Sequence, residues 1–101
     1  MYYAVKDGKV MRHESSSSFR TVYSSSPKAV KVVLSPDEKN VLILCDNGNV
    51  KLMKTNNHGV RTVYNQTGSL KAQDIAWDGN KSYQVQANNR WSKKSIYIHL
   101  I

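Results

Sequence analysis

Short apolar runs alternate with clusters of turn-forming residues along the chain, and the dominant period is two rather than 3.6. Tyr2–Val5 and Val10–His13 are β-rich runs joined through Asp7-Gly8, a hairpin signal. Phe19, Thr21 and Tyr23 alternate with Arg20 and Val22, which predicts a half-exposed strand. Ala29–Leu34 is almost continuously apolar and rich in valine, so a strand covered on both faces is expected there. Ser35–Asn40 is turn chemistry, with a proline to preset φ and Asp and Asn to bond locally. Val41–Cys45 follows as a second buried strand, and Val50–Lys54 returns after the turn at Asp46–Asn49. Val60–Tyr64 closes the series beyond a loop at Thr55–Gly59.

The series then starts again. Val60-Arg61-Thr62-Val63-Tyr64 echoes Phe19-Arg20-Thr21-Val22-Tyr23 at an offset of 41 residues (19 to 60). The same offset lays Ile75-Ala76-Trp77-Asp78 on Leu34-Ser35-Pro36-Asp37, and Tyr83 and Val85 on Leu42 and Leu44. Asp46-Asn47-Gly48-Asn49-Val50 repeats Lys6-Asp7-Gly8-Lys9-Val10. Repeats of about 40 residues are units that bury their apolar faces only by stacking. The expectation is an all-β chain of antiparallel up-and-down sheets, with about 2.5 to 3 repeats in a single region spanning 1–101. The units run roughly 1–23, 29–64 and 70–101, with three, four and three strands.

The third unit is the least regular. Repeat register predicts strand near Ile75. A short helix with Leu70, Gln73, Asp74 and Trp77 on one face and Ser69 as its N-cap is the competing pattern. Tyr83–Ala87 and Ser95–Ile101 are the remaining expected strands. Laying Ile96 on Val50 leaves five extra residues, which predicts a loop insertion near Arg90–Lys94.

The segment Val30-Lys31-Val32-Val33-Leu34-Ser35-Pro36-Asp37-Glu38-Lys39, with Asp46-Asn47-Gly48-Asn49-Val50-Lys51-Leu52-Met53, resembles a WD-repeat blade of a β-propeller. The first part is similar to the innermost strand and its Ser-Pro-Asp-Gly-Lys turn, the second to the Asp-Gly-Thr-Ile-Lys-Leu-Trp segment. No Gly-His dipeptide precedes the inner strand, and Met53-Lys54 stands where the family has Trp-Asp. The resemblance implies propeller-like blades. Rings of this kind use four to eight, so three units imply closure by a second copy, head to tail, a stand-alone wedge, or completion by blades elsewhere.

Composition narrows the partners. A formal charge of +8 on 101 residues favours polyanions, although lysines spread along strands also serve solubility. One cysteine excludes an internal disulfide and fits a reducing, cytoplasmic setting. No apolar run is long enough for a membrane-spanning helix, and no signal-peptide pattern opens the sequence.

Catalytic constellations are scarce. His13, His58 and His99 lack ligand spacing, and no Gly-x-Ser-x-Gly or glycine-rich phosphate loop occurs, so neither metal nor cofactor is expected. Asp74 is the odd carboxylate, falling in repeat register where Val33 stands. The cluster Arg90-Trp91-Ser92-Lys93-Lys94 joins an indole to cations, suiting a base or sugar ring flanked by phosphate or carboxylate. Arg20 and Arg61 either extend a basic rim or line a solvated edge. The candidate ligand-binding residues are therefore Arg90, Trp91, Lys93, Lys94, Asp74 and Trp77. The expected role is a non-enzymatic interaction module that self-associates, a dimer being favoured, with a protein or polyanionic partner. The alternatives are a polyanion- or nucleic-acid-binding protein, or an oligomeric lectin with Tyr23, Tyr64, Trp77 and Trp91 lining grooves between blades.

Overall fold

In the computed structural model, which describes residues 1–97, the chain forms ten strands in three antiparallel sheets. Sheet 1 is β1 (Tyr3–Lys6), β2 (Lys9–Ser15) and β3 (Ser18–Tyr23). Sheet 2 is β4 (Ala29–Leu34), β5 (Asn40–Cys45), β6 (Val50–Lys54) and β7 (Val60–Tyr64). Sheet 3 is β8 (Asp74–Trp77), β9 (Ser82–Ala87) and β10 (Arg90–Ser95). Each sheet is a meander in sequence order. The helical alternative near Leu70 shrinks to one 3-10 turn at Gly68–Leu70. None of the described helices is long and apolar enough to cross a membrane.

The sheets stack face to face, and sheet 2 is covered on both sides. All six residues of β5 are buried. Val41, Ile43 and Cys45 pack with Tyr3, Val10 and Tyr23 of sheet 1, whereas Leu42 and Leu44 pack with Ile75, Tyr83 and Val85 of sheet 3. A strand presents alternate residues to opposite faces. That is why β5 reads as an unbroken apolar run. Cys45 belongs to the first of these cores, and burial pushes its thiol above the ordinary range.

The repeat appears in the joints as well as the strands. Tyr23 pairs with Val10 and Tyr64 with Val50, and in both sheets the ladder slips immediately beyond that pair. The Tyr23 hydroxyl donates to the Pro27 carbonyl at 2.7 Å, and the Tyr64 hydroxyl donates to the Leu70 carbonyl. Burial, with Cys45 and Asp46 beside it, pushes the Tyr23 hydroxyl up to about 12, so it remains a donor. Two residues beyond each acceptor, Ala29 N–H donates to Gly8 O and Ala72 N–H to Gly48 O, both at 2.9 Å. The entry into each following sheet is thus laid across the hairpin tip of the one before.

The third unit corrects two expectations. β8 pairs Trp77 with Tyr83 and Ile75 with Val85, both turned toward sheet 2. Tyr83 and Val85 therefore take the places of Val41 and Ile43, not of Leu42 and Leu44, and Trp77 takes that of Leu34. A slip of one residue exchanges the faces of a strand. Asp74 consequently stands in the place of Lys31 rather than Val33. The second correction concerns Arg90–Lys94, which is no loop. Asn88 and Asn89, with φ of 51° and 60°, make a two-residue hairpin tip, and Arg90–Ser95 returns as β10. Ile96 matches Thr55, since Ile96 N–H donates to Lys81 O as Thr55 N–H does to Lys39 O. The expected final strand over Ser95–Ile101 is replaced by β10 up to Ser95, and its end, with His99, lies outside the described residues.

His58, in the loop before β7, bridges sheets 1 and 2. Its Nε2 lies 3.3 Å from the Tyr3 hydroxyl and 3.5 Å from Arg12 Nη1. Burial, then the charges of Arg20 and Arg12, lower its pKa against a smaller opposing effect of Glu14. The unfolded chain takes up this proton below the ordinary histidine value of about 6.5 while the native chain resists it. Unfolded protein then binds more protons, so stability is full above that value and declines as pH falls through it. Urea midpoints measured at about pH 7.5 and about pH 5.5 should differ in that direction, and His58→Asn should reduce the difference. Equal pH sensitivity in the variant would assign the effect elsewhere.

Candidate functional site

The sheets approach one another along β1, β4 and β8 and splay toward β3, β7 and β10. Two clefts open at the splayed edges. One, of about 490 Å³, lies between sheets 1 and 2 and is lined by Thr21, Tyr23, Lys51, His58 and Val60. The other, of about 500 Å³, lies between sheets 2 and 3, with Tyr64 and Leu70 on one wall and Asn88, Arg90, Ser92 and Lys94 on the other. Lys94 Nζ sits 5.7 Å from the Tyr64 ring centroid, a cation–π contact worth about 0.5–1 kcal/mol at an exposed site. Asn89 N–H donates to Gln73 Oε1 at 2.9 Å, which ties the β9–β10 tip to the segment entering β8.

The strand period divides the basic cluster. Arg90, Ser92 and Lys94 pair with Ala87, Val85 and Tyr83 and face the cleft. Trp91 and Lys93 pair with Gln86 and Gln84 and point to the outer face of sheet 3. Lys93 Nζ is held 3.3 Å from Asp78. Two of the expected ligand residues, Arg90 and Lys94, are therefore brought together, and two are carried to the other side. The remaining two belong to the sheet joints. Asp74 Oδ1 accepts from Lys31 Nζ at 2.6 Å, and that bond, with one from the Ile75 N–H, holds its carboxyl below the usual range. Trp77 is half-buried, and its indole N–H donates to Val33 O at 2.9 Å, across the joint between sheets.

Comparison of the chain with protein-family profiles, with curated proteins and with solved structures found no match.

The cleft gathers two cations, the Tyr64 ring and the apolar side chains of Leu70 and Ala87. Neither Arg90 nor Lys94 is ion-paired among the described residues. Arg20 and Arg61 do not extend it as a basic rim. Arg20 pairs with Glu14 at 2.9 Å, and Arg61 donates to the Ile96 carbonyl. No cluster of three or more metal-binding side chains occurs among the described residues. Leu70 and Gln66, which complete the cleft, lie in a connection with no periodicity, and only the match of Tyr64 to Tyr23 signals a joint there.

The tryptophans separate by substitution. Trp91→Ala removes a ring 45 % exposed on the outer face and should change stability in dilute solution by less than about 0.5 kcal/mol. Trp77→Phe strips the Val33 carbonyl of its donor and should cost about 1–2 kcal/mol. Denaturant titration of both variants checks the order, and a larger loss from Trp91→Ala would place that ring in the core.

Proposed function

We propose that the protein is a non-enzymatic interaction module of propeller-like repeats, working in a reducing cytoplasmic compartment, and that it self-associates through the outer face of sheet 1. The observation carrying this reading is a contrast between the two end faces. On sheet 3, Gln84, Gln86 and Lys93 occupy the places that Leu42, Leu44 and Leu52 hold on the face of sheet 2 covered by its neighbour, and Trp91, in the place of Val50, is the one large apolar side chain among them. The hairpin tip agrees with that face. Where a following sheet crosses, the tip residue is Gly8 or Gly48, and where none does it is Asn89. A terminal face that is polar over most of its positions suits the end of a stack of repeats.

Sheet 1 has no such cap. Its outer face carries Phe19, 50 % exposed, edge-on to Tyr2 and tilted against His13, with Ala4 and Met11 beside them. Two copies joined there would meet symmetrically about a two-fold axis, a commoner closure than a head-to-tail ring. Sedimentation velocity across the micromolar range should show a monomer–dimer equilibrium that Phe19→Ser shifts to monomer. A monodisperse monomer at the highest concentration would overturn the reading.

A second reading, a polyanion-binding surface at the Arg90–Lys94 cleft, is favoured by those two cations, neither of them ion-paired among the described residues. It requires binding to single-stranded DNA or heparin that weakens steeply with salt and is lost in Arg90→Gln/Lys94→Gln. A sugar-binding role draws less support, because the hydroxyls of Tyr23 and Tyr64 and the indole of Trp77 are spent on backbone carbonyls.

A further inference from the structure

At the end of the stack opposite the Asn89 tip, a groove of about 420 Å³ is lined by Lys39, Lys54 and Lys81 together with Asn40, Thr55 and Asn56. The three lysines come from three segments: the β4–β5 turn, the end of β6 and the β8–β9 turn. Lys39 and Lys81 are repeat-equivalent, since each offers its carbonyl to the residue that follows the third strand of its own sheet, Thr55 or Ile96. Their backbones are fixed. Thr55 N–H donates to Lys39 O at 3.1 Å, Thr55 Oγ1 donates to Glu38 O at 2.7 Å, and Asn40 pairs with Lys54 in the ladder. Asn40 and Thr55 are buried, which makes the groove wall polar as well as rigid.

The nearby carboxylates offset this group only in part: Asp37, which the charges of Lys81 and Lys39 also stabilise, is one carboxylate against three ammonium groups. Asp37 accepts from Ser35 Oγ at 2.7 Å and from Lys39 N–H at 3.1 Å, and these bonds lower its pKa ahead of any effect of Lys81 or Lys39. Glu38 lies 3.5 Å from the N-terminal ammonium. None of the three lysines is in an ion pair among the described residues. Like charges facing one groove repel, and an anion with several charges relieves that repulsion while taking up the ammonium donors.

We infer that this groove binds a small, multiply charged oxyanion, an oligophosphate, independently of the self-association proposed above. The triad is drawn from two turns and a strand end, so its charges are spread along the groove. A chain of phosphates can meet all three lysines, with the amides of Asn40 and Asn56 as neutral donors at the sides.

Isothermal titration with sodium tripolyphosphate at low salt tests this. The native chain should bind it, with affinity falling as salt rises, and inorganic phosphate should bind far more weakly. Each of Lys39→Gln, Lys54→Gln and Lys81→Gln should weaken binding about fivefold to tenfold, the loss of one charge-assisted contact. The triple variant should lose it while keeping its circular dichroism and thermal midpoint. Lys9→Gln, an exposed lysine beside the β1–β2 hairpin tip and outside the groove, should bind as the native chain does. Absence of binding by the native chain at millimolar tripolyphosphate, or unchanged binding by the folded triple variant, would overturn the assignment.

Discussion

Gly48→Ala should cost about 2–4 kcal/mol, a large share of the roughly 5–15 kcal/mol available to a chain of this size. Two effects add. Gly48 has φ of +86°, outside the range an L side chain adopts without strain. A Cβ there would also lie 2.5 Å from Lys71 Cβ, 2.8 Å from its Cγ and 3.2 Å from its backbone Cα. Lys71 cannot withdraw freely, because the next residue, Ala72, donates its N–H to the Gly48 carbonyl. The clash therefore falls on the joint between sheets 2 and 3. Gly68 supplies the control: its φ is +62° and a methyl group there would meet no atom within 4 Å, so Gly68→Ala should cost only about 1 kcal/mol. Urea midpoints of the two variants measure the difference directly. Equal losses would mean that the close crossing at Gly48 contributes nothing beyond backbone strain.

That joint also explains which parts of the fold were legible. The outer strands β3 and β7 share five-residue patterns, and in both the tyrosine closing the strand reaches the next linker, so sequence and structure agree there. In the third unit the offset drifts: Ala72 matches Ala29 at 43 residues, Ser82 matches Asn40 at 42 and Ser95 matches Lys54 at 41. One fixed offset of 41 therefore puts β9 on the wrong face, and hydropathy could not correct it, since Tyr83 and Val85 suit either core. β10 was hidden for a different reason. Arg90–Ser95 has one apolar residue and no alternation, and its extended form depends on the two left-handed asparagines and on pairing with β9. The cluster of cations was visible in the sequence. Its division between two faces was not, because that follows from a strand period invisible without an apolar side.

Leu42→Ala and Ile43→Ala should each cost about 2–5 kcal/mol, yet loosen opposite ends of the molecule. Both side chains are fully buried on β5, one residue apart. Leu42 faces the core shared with Ile75, Tyr83 and Val85, and Ile43 the core shared with Tyr3, Val10 and Tyr23. In a stack where each sheet touches only its neighbours, stability is close to a sum of unit and interface terms, so a cavity at one interface is felt first by the sheet beyond it. Amide hydrogen exchange should therefore accelerate in β8–β10 for Leu42→Ala and in β1–β3 for Ile43→Ala, with β5 and β6 the last to open in both. The same protection pattern in the two variants would mean that the sheets unfold as one unit. Faster exchange in sheet 1 alone would carry a further consequence: the face bearing Phe19 would loosen with it, so Ile43→Ala should weaken self-association as well as stability, whereas Leu42→Ala should spare it.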